Sequence, residues 1–144
     1  MRIRRSVLDS IVTHARRTTP EECCGLLIGS ESEIIEAVAT ANAATDPRRR
    51  YEIDPADYMT QIRRCRESAA NGGPVIRVVG AYHSHPRGRP EPSPTDVEQA
   101  FADFLFLIAG PAAETDPCIV HAYQLIDGNL RQVELVPEAE EADR

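Results

Sequence analysis

The chain has no apolar run long enough to cross a membrane. Its longest, FADFLFLIAGP at 101–111, carries an aspartate and falls short of the roughly 20 residues a spanning helix needs. It has no basic excess either: 23 acidic side chains outnumber 16 basic ones, which argues against binding nucleic acid through bulk charge. MRIRRSVLDS has the positive start of a signal peptide without its apolar core, so a cytoplasmic location is expected. The four cysteines, Cys23, Cys24, Cys65 and Cys118, form no CxxC pair and no paired zinc-finger spacing. They read as small buried apolar residues in a reducing compartment, and no base lies near them in sequence to activate a thiol nucleophile.

No internal repeat or low-complexity linker divides the 144 residues, a length that suits one domain with a core of its own. We expect a single domain over 1–136 and a frayed acidic tail, PEAEEADR, over 137–144. MRI suggests a short strand. SVLDSIVTHARRT follows as an amphipathic helix with Val7, Ile11, Val12 and Ala15 on one side. CCGLLIGS and EIIEAVATAN read as two strands joined by a polar turn. Asp54 as N-cap, Pro55 at the first helical position and Asn71-Gly72-Gly73 as the stop delimit a second helix. VIRVVGAYHSH is a strand, SPTDVEQA opens a helix, and FLFLIAG is a buried strand. IVHAYQLI and NLRQVELV make a hairpin turning on Asp127-Gly128. Without strict βα alternation, this is an α/β chain whose mixed sheet is flanked by helices.

Chemistry concentrates in GAYHSHPRGRPEPSPTDVEQ, 80–99. Only four histidines occur in the chain, and two of them, His83 and His85, are a single residue apart at a strand end. Residues two apart on a strand share a face, with side chains roughly 6–7 Å apart. Two imidazoles rooted there can converge on one ion at about 2.0–2.1 Å per nitrogen. A catalytic zinc site needs a third protein ligand and an open position. Asp96, eleven residues on and across a proline-stiffened loop, can supply it from the first turn of a helix. Ser93-Pro94-Thr95-Asp96 is equally a capping box, with Ser93 as N-cap and Asp96 reaching back, so both readings stand at this point.

Read together, His-x-His, seven residues, Ser, two residues and Asp resemble the signature of the JAMM metalloproteases, the MPN-plus family. That pattern also has an upstream glutamate three residues before a glycine. Glu22-Cys23-Cys24-Gly25 fits it, with Glu21 as the neighbouring competitor on the other face of a strand. The first helix, the GLLIG strand, the YEIDP lead into the second helix and the late hairpin extend the likeness almost end to end, towards the compact bacterial members. The implied fold is the MPN domain, related to the cytidine-deaminase-like αβα sandwich.

What the resemblance implies for function is specific. One zinc ion per chain would be held by His83, His85 and Asp96. Glu22 would act as general base and Ser93 would donate to the carbonyl oxygen, while Ser84 would point away as a structural residue. The reaction would be hydrolysis of the amide bond after the C-terminal Gly-Gly of a ubiquitin-like, sulfur-carrier protein. Asp96 leads into VEQAFADFLFLIAG without the long insertion of the family's linkage-specific deubiquitinases, which favours the carrier-trimming branch. Alternatives are a non-catalytic MPN scaffold, or a zinc amidase acting on cell wall or small adducts, or a RadC-like protein. The family spacing uses neither His14 nor His121. Arg48-Arg49-Arg50, Arg87 and Arg89 are either solvated loop or a docking surface for an acidic partner. No nucleic-acid or membrane partner is expected. A substrate tail would add as a strand to an exposed edge near EIIEAVATANAATDPRRRY.

Overall fold

The computed structural model describes residues 1–139. Its elements are β1 (Arg2–Arg4), α1 (Arg5–Thr18), β2 (Cys24–Gly29), β3 (Glu33–Thr40) and α2 (Pro55–Ala70). Then come β4 (Arg77–Ser84), α3 (Pro94–Gln99), β5 (Leu105–Gly110), β6 (Ile119–Ile126), β7 (Asn129–Val133) and β8 (Val136–Glu138). One eight-stranded sheet runs in the order β7-β6-β5-β4-β2-β3-β1-β8. It is mixed. β4 and β5 are parallel, as are β1 with β3 and β1 with β8, and the remaining pairs are antiparallel.

The helices cover opposite faces because alternate residues of each strand point to opposite sides. Val7, Ile11 and Ala15, spaced by four, bury one stripe of α1 against Leu27, Val79, Tyr82 and Leu107. On the other face Cys65, Tyr58 and Ile62 of α2 pack with Leu26, Ile28, Ala81, Phe104 and Phe106. α2 begins as its sequence signals: the Asp54 carboxylate accepts from the Ala56 amide at 2.9 Å, and Pro55 follows. The hairpin turn likewise falls on Asp127 and Gly128, both at positive φ. No helix among the described residues is long and apolar enough to cross a membrane.

The acidic end departs from expectation. Residues 136–138, taken from sequence as the end of the domain and the start of a frayed tail, form β8 beside β1, with the Val136 amide donating to Met1 carbonyl oxygen at 2.9 Å. Backbone pairing is indifferent to side-chain charge, Pro137 is tolerable on an edge strand, and Arg2 faces Glu138 at 3.5 Å. Residues 140–144, the rest of that expected tail, lie outside the described residues.

Gly25 lets the layers close. A Cβ at that position would collide with the Tyr82 ring and the Val38 carbonyl, and Tyr82 is itself only 2% exposed. Backbone cannot yield as a flexible side chain can. Gly25→Ala is therefore expected to cost about 1–3 kcal/mol, measured by urea unfolding; wild-type stability would show that the ring moves aside freely.

Candidate metal centre

β4 carries the two histidines to its C-terminal end. His83 is buried at 2% exposure and His85, one residue beyond the strand, is half-buried. The segment after them is stapled rather than loose. Ala109 carbonyl accepts from the His85 amide at 2.8 Å, Pro86 carbonyl from Ala112 at 3.0 Å, and Pro90 carbonyl from the Tyr123 hydroxyl at 2.6 Å. Gly110 permits this closeness, since a Cβ there would strike the Gly88 and His85 carbonyls.

The chain then turns back through α3, and the two readings of Ser93 and Asp96 prove compatible. Ser93 Oγ accepts from the Asp96 amide at 3.1 Å, and Asp96 Oδ2 accepts from the Ser93 amide at 2.8 Å, a complete capping box. The same carboxylate faces the histidines: Oδ1 stands 3.2 Å from His83 Nε2, and Oδ2 stands 3.2 Å from His85 Nε2. Capping fixes the rotamer that brings the carboxylate to the imidazoles. Because its oxygen accepts, the Ser93 hydroxyl proton is left to donate elsewhere.

Glu22 approaches from the neighbouring strand. β2 pairs antiparallel with β4, Cys24 opposite His83. Ser84 fastens that register: its hydroxyl accepts from the Cys23 amide at 2.8 Å, and its amide donates to Cys23 carbonyl at 3.1 Å. Ser84 is thus a structural link between the two halves. Potential ligand atoms of Glu22, His83 and His85 lie within 4.8 Å of one another. Glu22 is only 7% exposed, whereas Glu21 is exposed to solvent. The structure brings Glu22, not Glu21, to the histidines.

Electrostatics follow from crowding four titratable groups in a buried place. Burial lifts the Glu22 carboxyl to about 7, with His85 opposing and Asp96 reinforcing the shift. Burial also raises Asp96, but hydrogen bonds from His83 and His85 outweigh it and hold the carboxyl well below the ordinary range. His83 is pushed down by burial, against the pull of Asp96. For the less buried His85 the balance reverses: burial lowers it, and its bonds to Asp96 and the Arg89 carbonyl raise it by more.

These donors fit a metal ion. Ligands about 2.0–2.1 Å from a tetrahedral zinc stand about 3.3–3.4 Å from one another. The separations His83 Nε2 to His85 Nε2, and each of these to Asp96, are 3.2 Å. His85 Nδ1 lies 3.0 Å from the Arg89 carbonyl. A carbonyl can only accept, so Nδ1 donates to it, and in the neutral imidazole Nε2 is then the nitrogen left to ligate.

Two contributors had no signal in the sequence. The Tyr51 ring stacks on His83, centroids 4.3 Å apart and planes 18° from parallel. The Asn42 side chain donates to the Glu22 carbonyl at 3.0 Å. Other candidates lie apart. His14 Nδ1 meets the Tyr82 hydroxyl at 2.7 Å on the α1 side. His121 shares the cross-strand row of His83, but Ile108 of β5 stands between them. All four cysteines are free thiols, and burial pushes Cys23 up to about 12, so the thiols stay protonated.

The Glu22 shift has a consequence for the metal-free protein. Its carboxyl keeps a proton up to about pH 7 when folded, against an ordinary value of 4.5. Between those values the folded chain holds more protons than the unfolded one, so this residue makes stability fall as pH rises. Glu22→Gln removes that contribution. Urea unfolding of the metal-free protein should therefore show the variant gaining on wild type between pH 5 and pH 7.5; a constant difference would count against the shift.

Known proteins resemble this chain. The family model described as prokaryotic homologs of the JAB domain matches residues 4–125. A desampylase from Haloferax volcanii is 39% identical over 110 residues, covering 72% of this chain and 75% of the relative. A CysO-cysteine peptidase from Mycobacterium tuberculosis is 30% identical over 132 residues, covering 90% and 86%. Among solved structures, a JAB1/MPN domain protein from Archaeoglobus fulgidus superposes with a TM-score of 0.60 at 21% identity, covering 95% of this chain and 98% of its own. The chain belongs to the family of prokaryotic homologs of the JAB domain, the JAMM/MPN type that its sequence resembles.

Proposed function

We propose that this chain is a zinc-dependent peptidase or isopeptidase that hydrolyses the amide bond after the C-terminal Gly-Gly of a ubiquitin-like, sulfur-carrier protein. The observation that carries this reading is the convergence of Glu22, His83, His85 and Asp96, with the Glu22 carboxyl poised near neutrality. Relatives named as a desampylase and a CysO-cysteine peptidase support it. A non-catalytic scaffold has no use for a complete donor set beside a buried carboxyl.

His83, His85 and Asp96 would hold one zinc ion per chain. When bound, such an ion supplies Lewis-acid chemistry, polarising a carbonyl and making water nucleophilic near neutral pH. Glu22 then accepts the proton of the attacking water and returns it to the leaving amine, a role that suits a pKa matched to the working pH. Ser93, its hydroxyl proton free, donates to the carbonyl oxygen as negative charge develops there. Free thiols throughout fit work in the reducing cytoplasm.

An extended tail has a place to lie. β1 pairs only with Glu33 and Ile34 of β3, so no strand among the described residues covers the outer side of Glu36–Thr40. Thr40 stands in the row of Cys24 and His83, so this edge leads to the histidines. A tail added there gains main-chain hydrogen bonds and is held beside the site. Exposed Arg48, Arg50, Arg87 and Arg89 lie in the two segments that flank the site and suit an acidic partner.

Elemental analysis should find one zinc per chain, lost in His83→Ala and in His85→Ala. Glu22→Gln should keep the zinc and lose about 10²–10⁴ in kcat; zinc-free wild type after metal-replete expression would defeat the reading. The substrate geometry has its own check. With the backbone close to the metal, only a small residue fits before the cut. Replacing the glycine before the scissile bond of a Gly-Gly-X substrate by valine should abolish most cleavage, and varying X should matter less. Equal rates for both tails would refute an extended, close approach.

A further inference from the structure

Asn42 follows β3 by two residues, in the segment that joins β3 to α2. Its carboxamide is saturated. The nitrogen donates to the carbonyls of Glu22 at 3.0 Å and Arg50 at 2.9 Å, with a longer contact to Pro47 at 3.4 Å. The oxygen accepts from the amides of Ala44 at 3.0 Å and Glu52 at 3.1 Å. Every group around the nitrogen is an acceptor and both groups on the oxygen are donors, so only one orientation of the amide satisfies the set.

These partners are not scattered. The Glu22 peptide is held on both sides, its carbonyl by Asn42 and its amide by the Pro47 carbonyl at 2.8 Å. Arg50 and Glu52 are the residues on either side of Tyr51, whose ring lies on His83. One side chain therefore fixes the residue that carries the buried carboxyl and the residue that walls the more buried histidine.

We propose that Asn42 is the positioning residue of the centre, setting Glu22 and, through Tyr51, the His83 ring in a single hydrogen-bonded unit. Its side-chain hydrogen bonds all go to backbone groups, so it acts through those two residues. The proposal rests on the functional reading above for the roles of Glu22 and His83. Asn42→Asp keeps the oxygen that accepts from the Ala44 and Glu52 amides but sets a second carboxylate oxygen against three carbonyls, and Asn42→Ala removes all of these side-chain contacts. Groups that orient metal-site residues from outside typically contribute about 10–100-fold in affinity or activity.

The test uses the full chain loaded with Co(II), in wild type, Asn42→Asp and Asn42→Ala. Three measurements are made: Co(II) affinity by chelator competition with the visible spectrum, hydrogen exchange, and kinetics on a Gly-Gly-X substrate. We expect Co(II) affinity to fall about 10–100-fold with a changed spectrum, and exchange at the Glu22 and Glu52 amides to quicken together in Asn42→Ala. kcat should fall about 10–100-fold while KM stays within about threefold. A residue that only stabilised the loop would lower the melting temperature and leave the spectrum and kcat of the folded protein at wild-type values; that result overturns the proposal. Should neither Asn42 variant fold, Tyr51 carries the question. Tyr51→Ala should lose Co(II) affinity and Tyr51→Phe, which keeps the ring, should restore it; wild-type affinity in Tyr51→Ala overturns the link to His83. Failure of wild type to cleave any Gly-Gly-X substrate would defeat the hydrolase reading alone, because affinity, spectrum and exchange are read without turnover.

Discussion

The antiparallel register of β2 against β4 is the constraint on which the centre depends. Cys24 opposite His83 places the residue two before Cys24 level with the end of the His-Ser-His segment. A slip by one residue would turn every side chain of β2 to the other face, exchanging Leu26 and Ile28 with Gly25 and Leu27 and carrying Glu22 away. Ser84 guards against that slip with two hydrogen bonds to Cys23, one through its side chain and one through its backbone. The residue between the two histidines is therefore as necessary to the arrangement as the histidines are.

Around that register the protein concentrates polar groups that would be costly if left unpaired. Two carboxylates and two imidazoles are gathered in a mostly buried place, and each shifts the others. Low local dielectric strengthens a satisfied network and penalises an incomplete one. Asp96 is satisfied twice over, by the capping box and by the imidazoles. For Glu22 the nearby His85 only partly offsets burial, which lifts its pKa. Two acids of similar intrinsic strength are thus driven apart by surroundings: one held ionised and suited to a cation, one left near neutrality and suited to proton transfer.

A half-open, largely apolar pocket of about 610 Å³ adjoins this polar centre, lined by Ile53, Tyr58, Met59, Phe101 and Phe104 together with Arg50 and Glu52. Tyr51 belongs to both, stacking on His83 and lining the cavity. The segment containing Tyr51 carries no regular secondary structure, so its order comes from isolated backbone bonds, such as the Ala43 amide to the Glu52 carbonyl at 2.8 Å, together with the side-chain hydrogen bonds of Asn42. An irregular segment held in this way is as well determined as a strand would be, because its backbone groups have found partners.

Sequence by itself determined the local units and the spacing of the chemistry. Apolar periodicity gave α1, Asp54-Pro55 started α2, and Asp127-Gly128 turned the hairpin, because each depends on neighbours a few residues away. The His-Ser-His pair, the serine and aspartate of the capping box, and a glutamate three before a glycine were legible for the same reason. Each is a short pattern with a geometric meaning of its own. Tertiary structure alone decided which strands became neighbours and that β8 lies at the edge beside β1, and it buried the glutamate that the spacing had singled out, Glu22, while leaving Glu21 exposed. It also recruited Asn42 and Tyr51, whose partners lie 20 and 32 residues away in sequence. Long-range hydrogen bonds and ring stacking leave no periodic trace in a chain. They exist only once sheet register has brought distant backbone together.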